Sequence, residues 1–223
     1  METIQERVAR IRAEIRAAAL ACGRDPGEIA LCAATKMNDA GAVRQAIAAG
    51  VDCCGENRVQ ELVQKSGEDA YRGAPVHFIG HLQTNKVRQV VGRVDLIQSV
   101  DSQRLLQAVA AQADKLGIVQ DILLEVNIAR EASKGGCLPE ELHGLLDFAR
   151  GFKGIRPRGL MAIPPVSATP GANRRYFAEM YKLFVDIKDE MTDNQSVMDC
   201  LSMGMSADYE DAIAEGATLV RVG

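Results

Sequence analysis

At 223 residues the chain is long enough for one large domain, since α/β barrels run to about 250 residues. Its composition, with 47% hydrophobic and 25% charged residues and no tryptophan, is typical of an ordinary globular protein. A net charge of −4, with the basic residues scattered along the chain, gives no reason to expect nucleic acid or an anionic membrane as a partner.

Taken in chain order, short apolar segments alternate with helical segments. The strand-like segments are continuous rather than alternating, as in parallel strands buried on both faces; they are 29–36, 51–56, 76–82, 95–100, 120–127, 155–163, 198–205 and 218–223. Helical segments lie between them at 39–49, 57–69, 84–92, 102–116, 139–151, 173–192 and 206–215. This order, without a Pro/Gly/Ser-rich linker, predicts an α/β protein: a single (β/α)8 TIM barrel over residues 1–223, with residues 2–20 as an extra N-terminal helix.

Signals for targeting and for disulfides are missing from the sequence. Residues 1–20 are charged throughout and lack an apolar signal segment, and no apolar run approaches the roughly 18 residues of a membrane span. The six cysteines show no CxxC motif and no regular spacing, so we interpret them as small buried hydrophobic residues in a reducing cytoplasm. Two helix starts carry capping signals. Asn57 stands three residues before Gln60 in a capping-box pattern, and Asp101 is placed to cap the predicted helix 102–116.

Lys36 is the most informative residue in the first half of the chain. It closes the apolar segment 29–36, and a lysine delivered to the tip of a buried strand is unusual. Partial burial or nearby cations would lower the pKa of its amine and make it a nucleophile able to condense with an aldehyde. The alternative is a lysine that marks a strand end and extends into water. A second candidate, Lys134, lies in a polar, glycine-rich loop where its amine would be solvated.

The last two strands end in residues suited to an anion. The turn 202–206 and the segment 221–223 follow strands seven and eight, where barrels frequently bind phosphate through backbone N–H groups. His77 and His81 suggest a metal site, but on a strand they are separated by about 13 Å and cannot share an ion. We therefore predict no metal site and interpret His77 as a core or hydrogen-bonded residue. His81 lies nearer the strand tip, and two placements stay open: its side chain faces the cofactor at the mouth of the barrel, or it points away from it.

Together these strand ends resemble the pyridoxal-phosphate homeostasis family, the YggS/PROSC group, whose fold is that of the alanine racemase N-terminal barrel. The resemblance covers nearly the whole chain. It is carried by Thr35-Lys36, by residues 55–61 (GENRVQE), by 77–86 (HFIGHLQTNK), by 99–102 (SVDS), by 126–128 (VNI), by 159–164 (GLMAIP), by 201–208 (LSMGMSAD) and by 220–223 (VRVG).

The resemblance implies a cofactor and residues that hold it. Lys36 would carry pyridoxal 5'-phosphate as an internal aldimine, Ser202 and the following backbone at Met203 would hold the phosphate together with Gly223, and Arg221 would face the pyridine nitrogen. Asn57 is either a helix cap alone or a cap that also contacts the cofactor. Family members usually continue past this Arg-x-Gly with a serine or threonine, whereas this sequence ends at Gly223, so we expect these residues to lack the hydroxyl that would complete the phosphate site.

Two functions are compatible with such a cofactor. The first is a cofactor-binding protein without robust racemase activity, which buffers pyridoxal phosphate and passes it to apo-enzymes; it has no catalytic residue. The second is a pyridoxal-phosphate-dependent amino-acid racemase. Racemisation needs a base on each face of the substrate. The resemblance implies that barrel-type alanine racemases take the second base, a tyrosine, from a separate domain of the partner subunit. None of the four tyrosines lies at a predicted strand tip, so we favour the first function. We expect a monomer, because the separate domain that builds the racemase dimer has no counterpart in these residues.

Overall fold

Eight parallel strands close into one barrel in the computed structural model, which describes residues 2–167, 169–190 and 197–223. Each strand pairs with its neighbour in the chain, and the first closes on the eighth. The predicted (β/α)8 barrel is therefore confirmed. The strands are β1 (Ala30–Ala34), β2 (Cys53–Glu56), β3 (Val76–Phe78), β4 (Leu96–Val100), β5 (Gln120–Glu125), β6 (Ile155–Met161), β7 (Cys200–Ser202) and β8 (Leu219–Val222).

Helices cover the outside of the barrel. They are α1 (Ile4–Ala21), α2 (Ala40–Ala48), α3 (Val59–Gly67), α4 (Val87–Val90), α5 (Gln103–Leu116), α6 (Leu142–Arg150), α7 (Arg174–Glu190) and α8 (Tyr209–Ala214). Of the predicted helix 173–192, residues 191 and 192 lie outside the described residues. No helix in the described part of the chain is long and apolar enough to cross a membrane.

The extra N-terminal helix is present and completes the outer layer beside the first and last strands. Thr3 and Glu6 form a capping box at its start, which satisfies backbone N–H groups that would otherwise be unpaired. Its buried face packs against α2 and α8, and consists of Val8, Ile11, Ile15 and Ala19. The helix thus lies between the second and the last helix of the ring.

The large hydrophobic core lies between the strands and the helices, whereas the inside of the barrel is partly polar. Small apolar clusters there, such as Leu96 with Leu123 and Met161, are joined by buried polar residues. The polar side chains buried in this region include His77, Gln98, Ser202 and Arg221. Since buried polar groups must be hydrogen-bonded, this interior is a connected network rather than a simple apolar filling.

Several predicted boundaries are wrong. The third strand ends at Phe78 instead of residue 82, and the predicted helix 84–92 is a 3-10 turn followed by the single-turn α4. Asn57 does not cap a helix: Arg58 holds the N-cap position of α3 and no side chain caps that end. Ser102, not Asp101, caps α5 by accepting a hydrogen bond from the N–H of Leu105. Cys22 is exposed, so the cysteines are not all buried.

Candidate functional site

Lys36 lies in an exposed turn at the carboxyl end of the barrel. The strand β1 stops at Ala34, and residues 35–38 form a turn in which Met37 has a positive φ of 62°. The Lys36 side chain is exposed, so the partial burial expected from the sequence is not found. The amine is accessible to a ligand that enters from solvent.

A buried ion pair holds the residue before Lys36. Glu56, at the end of β2, is fully buried, and its Oε2 accepts from Lys65 Nζ at 2.7 Å and from the Thr35 hydroxyl at 3.0 Å. Lys65 Nζ also donates to the Thr35 carbonyl at 2.8 Å. The Tyr71 hydroxyl donates to the same Glu56 oxygen at 3.1 Å. Thr35 is therefore fixed through both its side chain and its backbone.

The residue after Lys36 is held by the same group of charges. The Met37 N–H donates to Glu61 Oε2 at 2.9 Å, and this bond holds the pKa of Glu61 below its usual value. Lys65 Nζ donates to the same carboxylate at 3.2 Å. Helix α3 thus supplies the cation and one of the two anions that flank the Lys36 turn. The sequence motif GENRVQE contains both carboxylates, but their roles could not be read from it.

A second turn, which begins α8, lies close to the Lys36 turn. Ser206 and Gly223 are joined by hydrogen bonds in both directions, Gly223 N to Ser206 Oγ at 3.3 Å and Ser206 Oγ to the Gly223 carbonyl at 3.2 Å. Gly223 in turn abuts the end of β1, where an added Cβ would lie 2.9 Å from the Ala34 carbonyl oxygen. The N–H groups of Ser206 and Ala207 donate to no acceptor among the described residues, and both residues are exposed.

Asp208 faces other partners within this turn. Its carboxylate accepts from the Met205 N–H at 2.8 Å and from Asn173 Nδ2 at 2.7 Å, so each of its oxygens is occupied. The free N–H groups of Ser206 and Ala207 are therefore available to an anion from solvent. Ser206 lies within the motif LSMGMSAD and within the turn 202–206, but the sequence did not single out its hydroxyl, which here contacts Gly223.

Three of the expected site residues lie deeper in the barrel. The Ser202 side chain is fully buried; it donates to Gln98 Oε1 at 2.7 Å and accepts from the Arg221 guanidinium. The Met203 N–H donates to the Leu219 carbonyl at 3.2 Å. Neither the Ser202 hydroxyl proton nor the Met203 N–H is thus free for a phosphate in this arrangement. Arg221 also donates to the Ala162 carbonyl at 2.9 Å, and burial lowers its pKa.

Asn57 and His81 lie at the carboxyl end of the barrel, beyond β2 and β3. The Asn57 Oδ1 atom is buried and has no hydrogen-bond partner among the described residues, which is costly unless a ligand supplies a donor. Gly80 packs directly over Asn57, because a Cβ at Gly80 would lie 2.1 Å from the Asn57 carbonyl oxygen. The next residue, His81, is exposed.

Glu125 is a further polar residue at this end of the barrel. It ends β5 and is buried, and burial raises its pKa to about 7, with a smaller contribution from the negative charge of Asp101. Arg221 acts in the opposite direction. A carboxyl group that titrates near neutral pH is typical of functional sites. Its position at a strand end was visible in the sequence, but its burial was not.

Comparison with known proteins gives the family. Residues 7–223 match the model of the alanine racemase N-terminal domain. The chain is 41% identical to a pyridoxal phosphate homeostasis protein of Pseudomonas aeruginosa, with 100% of this chain and 94% of the relative covered. The chain belongs to the pyridoxal phosphate homeostasis protein family. Another member of this homeostasis family, from Aquifex aeolicus, is 39% identical over 98% of this chain and 94% of its own length.

One solved structure that is similar to this chain contains a bound ligand. PipY of Synechococcus elongatus, solved with PLP bound, is 33% identical, with a TM-score of 0.85 over 99% of this chain and 98% of that chain. The resemblance to the family expected from the motifs is confirmed, and so is the barrel of the alanine racemase N-terminal type.

Proposed function

We propose that this protein binds pyridoxal 5'-phosphate as a Schiff base on Lys36 and buffers the cofactor for transfer to apo-enzymes. The observation that carries the proposal is the proximity of an accessible amine to two N–H groups, those of Ser206 and Ala207, that have no acceptor among the described residues. The Lys36 turn follows Ala34, which touches Gly223, and Gly223 is hydrogen-bonded to Ser206. An aldehyde that also carries a phosphate matches this pair of groups, because the amine condenses with the aldehyde and the N–H groups donate hydrogen bonds to the phosphate oxygens.

The residues around this point fit the cofactor in kind. The phosphate would be held by the N–H groups of Ser206 and Ala207. The exposed Ser206 hydroxyl would turn to the phosphate from the Gly223 carbonyl, to which it now donates at 3.2 Å. The unpaired oxygen of Asn57 would accept a hydrogen bond from a polar substituent of the ring, and His81 would line the entrance. When bound, the cofactor supplies an electron sink for carbanion chemistry. The chain's own residues bind and orient it.

Arg221 gives a reason to favour binding over catalysis. Its guanidinium cannot give up a proton, so an arginine beside the ring nitrogen would keep that nitrogen unprotonated and weaken the electron sink. The guanidinium is already oriented by the Ser202 hydroxyl and the Ala162 carbonyl. Tyr176, Tyr181 and Tyr209 lie in helices α7 and α8. Tyr71, in the loop after α3, lies near the Lys36 turn, but its hydroxyl is engaged in the hydrogen bond to Glu56 Oε2 at 3.1 Å. A second base of the kind that racemases use is not supplied by any of them.

The central experiment is the absorption spectrum of the purified protein with added pyridoxal phosphate, before and after borohydride reduction. We expect a visible band and, after reduction, a peptide modified at Lys36. Lys36→Ala should abolish both, whereas Lys134→Ala, which changes another exposed lysine in a loop, should leave both unchanged. An adduct that maps to Lys134 or Lys86 would show that the amine has been wrongly assigned.

A second experiment separates the two functions. The holo-protein is incubated with L-alanine, and the enantiomers are resolved by chiral chromatography. In parallel, the bound cofactor is offered to an apo-enzyme, with excess of a carbonyl trap to remove any cofactor that dissociates first. We expect no accumulation of D-alanine and activation of the apo-enzyme despite the trap. Robust racemisation would contradict the buffering function.

A further inference from the structure

Inside the barrel, two thiols and an imidazole from the first three strands meet at one point. Cys32 of β1, Cys53 of β2 and His77 of β3 are all buried, and one ligand atom from each lies within 4.8 Å of the other two. Cys53 Sγ is 3.5 Å from His77 Nδ1. We propose that these three residues form a binding site for a thiophilic metal ion, zinc(II), that is separate from the Lys36 site.

The spacing matches that of atoms bound to one ion. Zinc bonds of about 2.3 Å to sulfur and about 2.0 Å to nitrogen place tetrahedral ligand atoms roughly 3.5 Å to 4 Å apart. The 3.5 Å between Cys53 Sγ and His77 Nδ1 lies in this range, and the 4.8 Å limit leaves only a small inward movement for Cys32. Two cysteines and one histidine are also a zinc ligand set with a fourth position left for water. It is the one such group in the described part of the chain.

A chain of hydrogen bonds puts His77 in the form that binds a metal. Arg221 donates to the Ser202 hydroxyl, so the Ser202 proton goes to Gln98 Oε1. This orients the Gln98 amide nitrogen toward His77 Nδ1, 2.9 Å away. The imidazole therefore presents its Nδ1 lone pair toward Gln98 and Cys53, and the proton resides on Nε2. A metal at Nδ1 would replace the hydrogen bond from Gln98.

The ligand set balances the charge of the ion. Zinc(II) binding would release the thiol protons of Cys32 and Cys53 and form a neutral site with two thiolates and a neutral imidazole. Arg221 of β8, which pairs in register with Cys32, keeps its own hydrogen bonds to Ser202 and the Ala162 carbonyl. The ion therefore adds no net charge to the barrel interior.

The ion has a route to the site that does not cross the cofactor end. His77 lines a cavity together with Asp95, Asp121, Arg158 and Cys200. Asp95 immediately precedes β4, and Asp121 lies at the start of β5, so this cavity opens at the amino end of the strands. Lys36 lies at the opposite, carboxyl end. Water that enters this cavity provides the fourth zinc ligand.

The test uses the full-length, reduced protein with Cys22→Ser, because Cys22 is the exposed thiol that could bind metal adventitiously. Zinc is titrated against a chromogenic chelator, and cobalt(II) is titrated as a spectroscopic probe. We expect one zinc ion per chain and a cobalt spectrum with thiolate charge-transfer bands and intense tetrahedral d–d bands. No zinc retention, or a cobalt spectrum without thiolate bands, would overturn the proposal.

Variants locate the site. Cys53→Ala and His77→Gln should each weaken zinc binding by more than about 100-fold, since even loss of an outer-shell partner costs roughly 10- to 100-fold. Cys54→Ala is the matched control, because Cys54 is the next residue of β2 and is buried on the opposite face, in the outer core. Equal loss in the control, unchanged affinity in Cys53→Ala, or stoichiometric copper(I) binding with no zinc would each refute the assignment. The cobalt spectrum of the parent protein remains decisive if a variant does not fold.

Discussion

Ser202 and Ser206 lie in the same motif, but the structure gives their hydroxyl groups different surroundings. Ser206 is exposed and touches Gly223, whereas Ser202 is fully buried between Gln98 and Arg221. If the proposed phosphate site is right, Ser206→Ala should weaken pyridoxal phosphate binding by about 1 kcal/mol, the scale of one hydrogen bond. Binding of pyridoxal without its phosphate should not change. Fluorescence or absorbance titration with both ligands measures the difference.

Ser202→Ala is the informative comparison for that prediction. It removes a hydroxyl that satisfies two buried groups, Gln98 Oε1 and the Arg221 guanidinium. We expect it to lower the free energy of unfolding by about 1–3 kcal/mol, the cost of buried polar groups left unpaired. Urea unfolding of both variants checks this. A stable Ser202→Ala protein that has lost phosphate affinity would assign the phosphate to Ser202, as the sequence resemblance suggested.

Glu125 should make the stability of the protein depend on pH. Its pKa in the folded protein is raised to about 7 by burial, so the folded state holds a proton that the unfolded state has already released. Stability should therefore fall as the pH rises from the ordinary carboxyl range to about 7. A shift of this size corresponds to roughly 3–4 kcal/mol. Glu125→Gln should become more stable relative to the parent between pH 5 and pH 8 in urea unfolding, whereas the exposed control Glu140→Gln should not.

At the scale of elements, helix α3 is tied to the ends of β1 and β2 by one buried ion pair. Lys65 is the cation of this pair, and Glu56 is fully buried. Lys65→Met should lower the free energy of unfolding by about 3–5 kcal/mol, because it leaves a buried carboxylate without its partner. Lys65→Met with Glu56→Gln should recover part of the loss. Thermal or urea unfolding measures all three proteins.

The control for this pair is a lysine in an exposed ion pair. Lys182 lies in α7 and pairs with Asp186 at 3.0 Å, with 78% of its side chain exposed. Lys182→Met should change stability by less than about 0.5 kcal/mol. Lys65→Met should also slow cofactor attachment, because the Thr35 carbonyl loses its hydrogen bond from Lys65, and Glu61, which holds the Met37 N–H, loses its cation. Unaltered attachment in a folded Lys65→Met protein would show that the Lys36 turn is held by other contacts.

For the whole molecule, the alternation of strand-like and helical segments was enough to predict a closed barrel. Which residues point into the barrel could not be predicted. Continuous apolar strands, such as the segment 29–36, do not reveal which residues point inward. The meeting of Cys32, Cys53 and His77 depends on that choice in three strands at once. The capping prediction for Asn57 failed for a related reason, since the packing of Gly80 over Asn57 is a contact between loops distant in sequence.

Gly159 is the glycine at which an added side chain would clash most severely with a neighbouring strand of the barrel. It has a φ of 155° and pairs with Cys200 across β6 and β7, and an added Cβ would lie 1.7 Å from the Cys200 carbonyl oxygen. Gly159→Ala must therefore separate two neighbouring strands. Since the barrel is one closed sheet, we expect the free energy of unfolding to fall by more than about 4 kcal/mol, which is at the extreme of single substitutions. Circular dichroism during urea unfolding measures this loss.

Gly144→Ala is the control: Gly144 lies in α6 with no atom within 4 Å of its added Cβ, and its replacement should stabilise the protein by roughly 0.5–1 kcal/mol. If Gly159→Ala were as stable as the parent, β6 and β7 could separate without opening the barrel, and the close backbone contact between them would not be required for the fold.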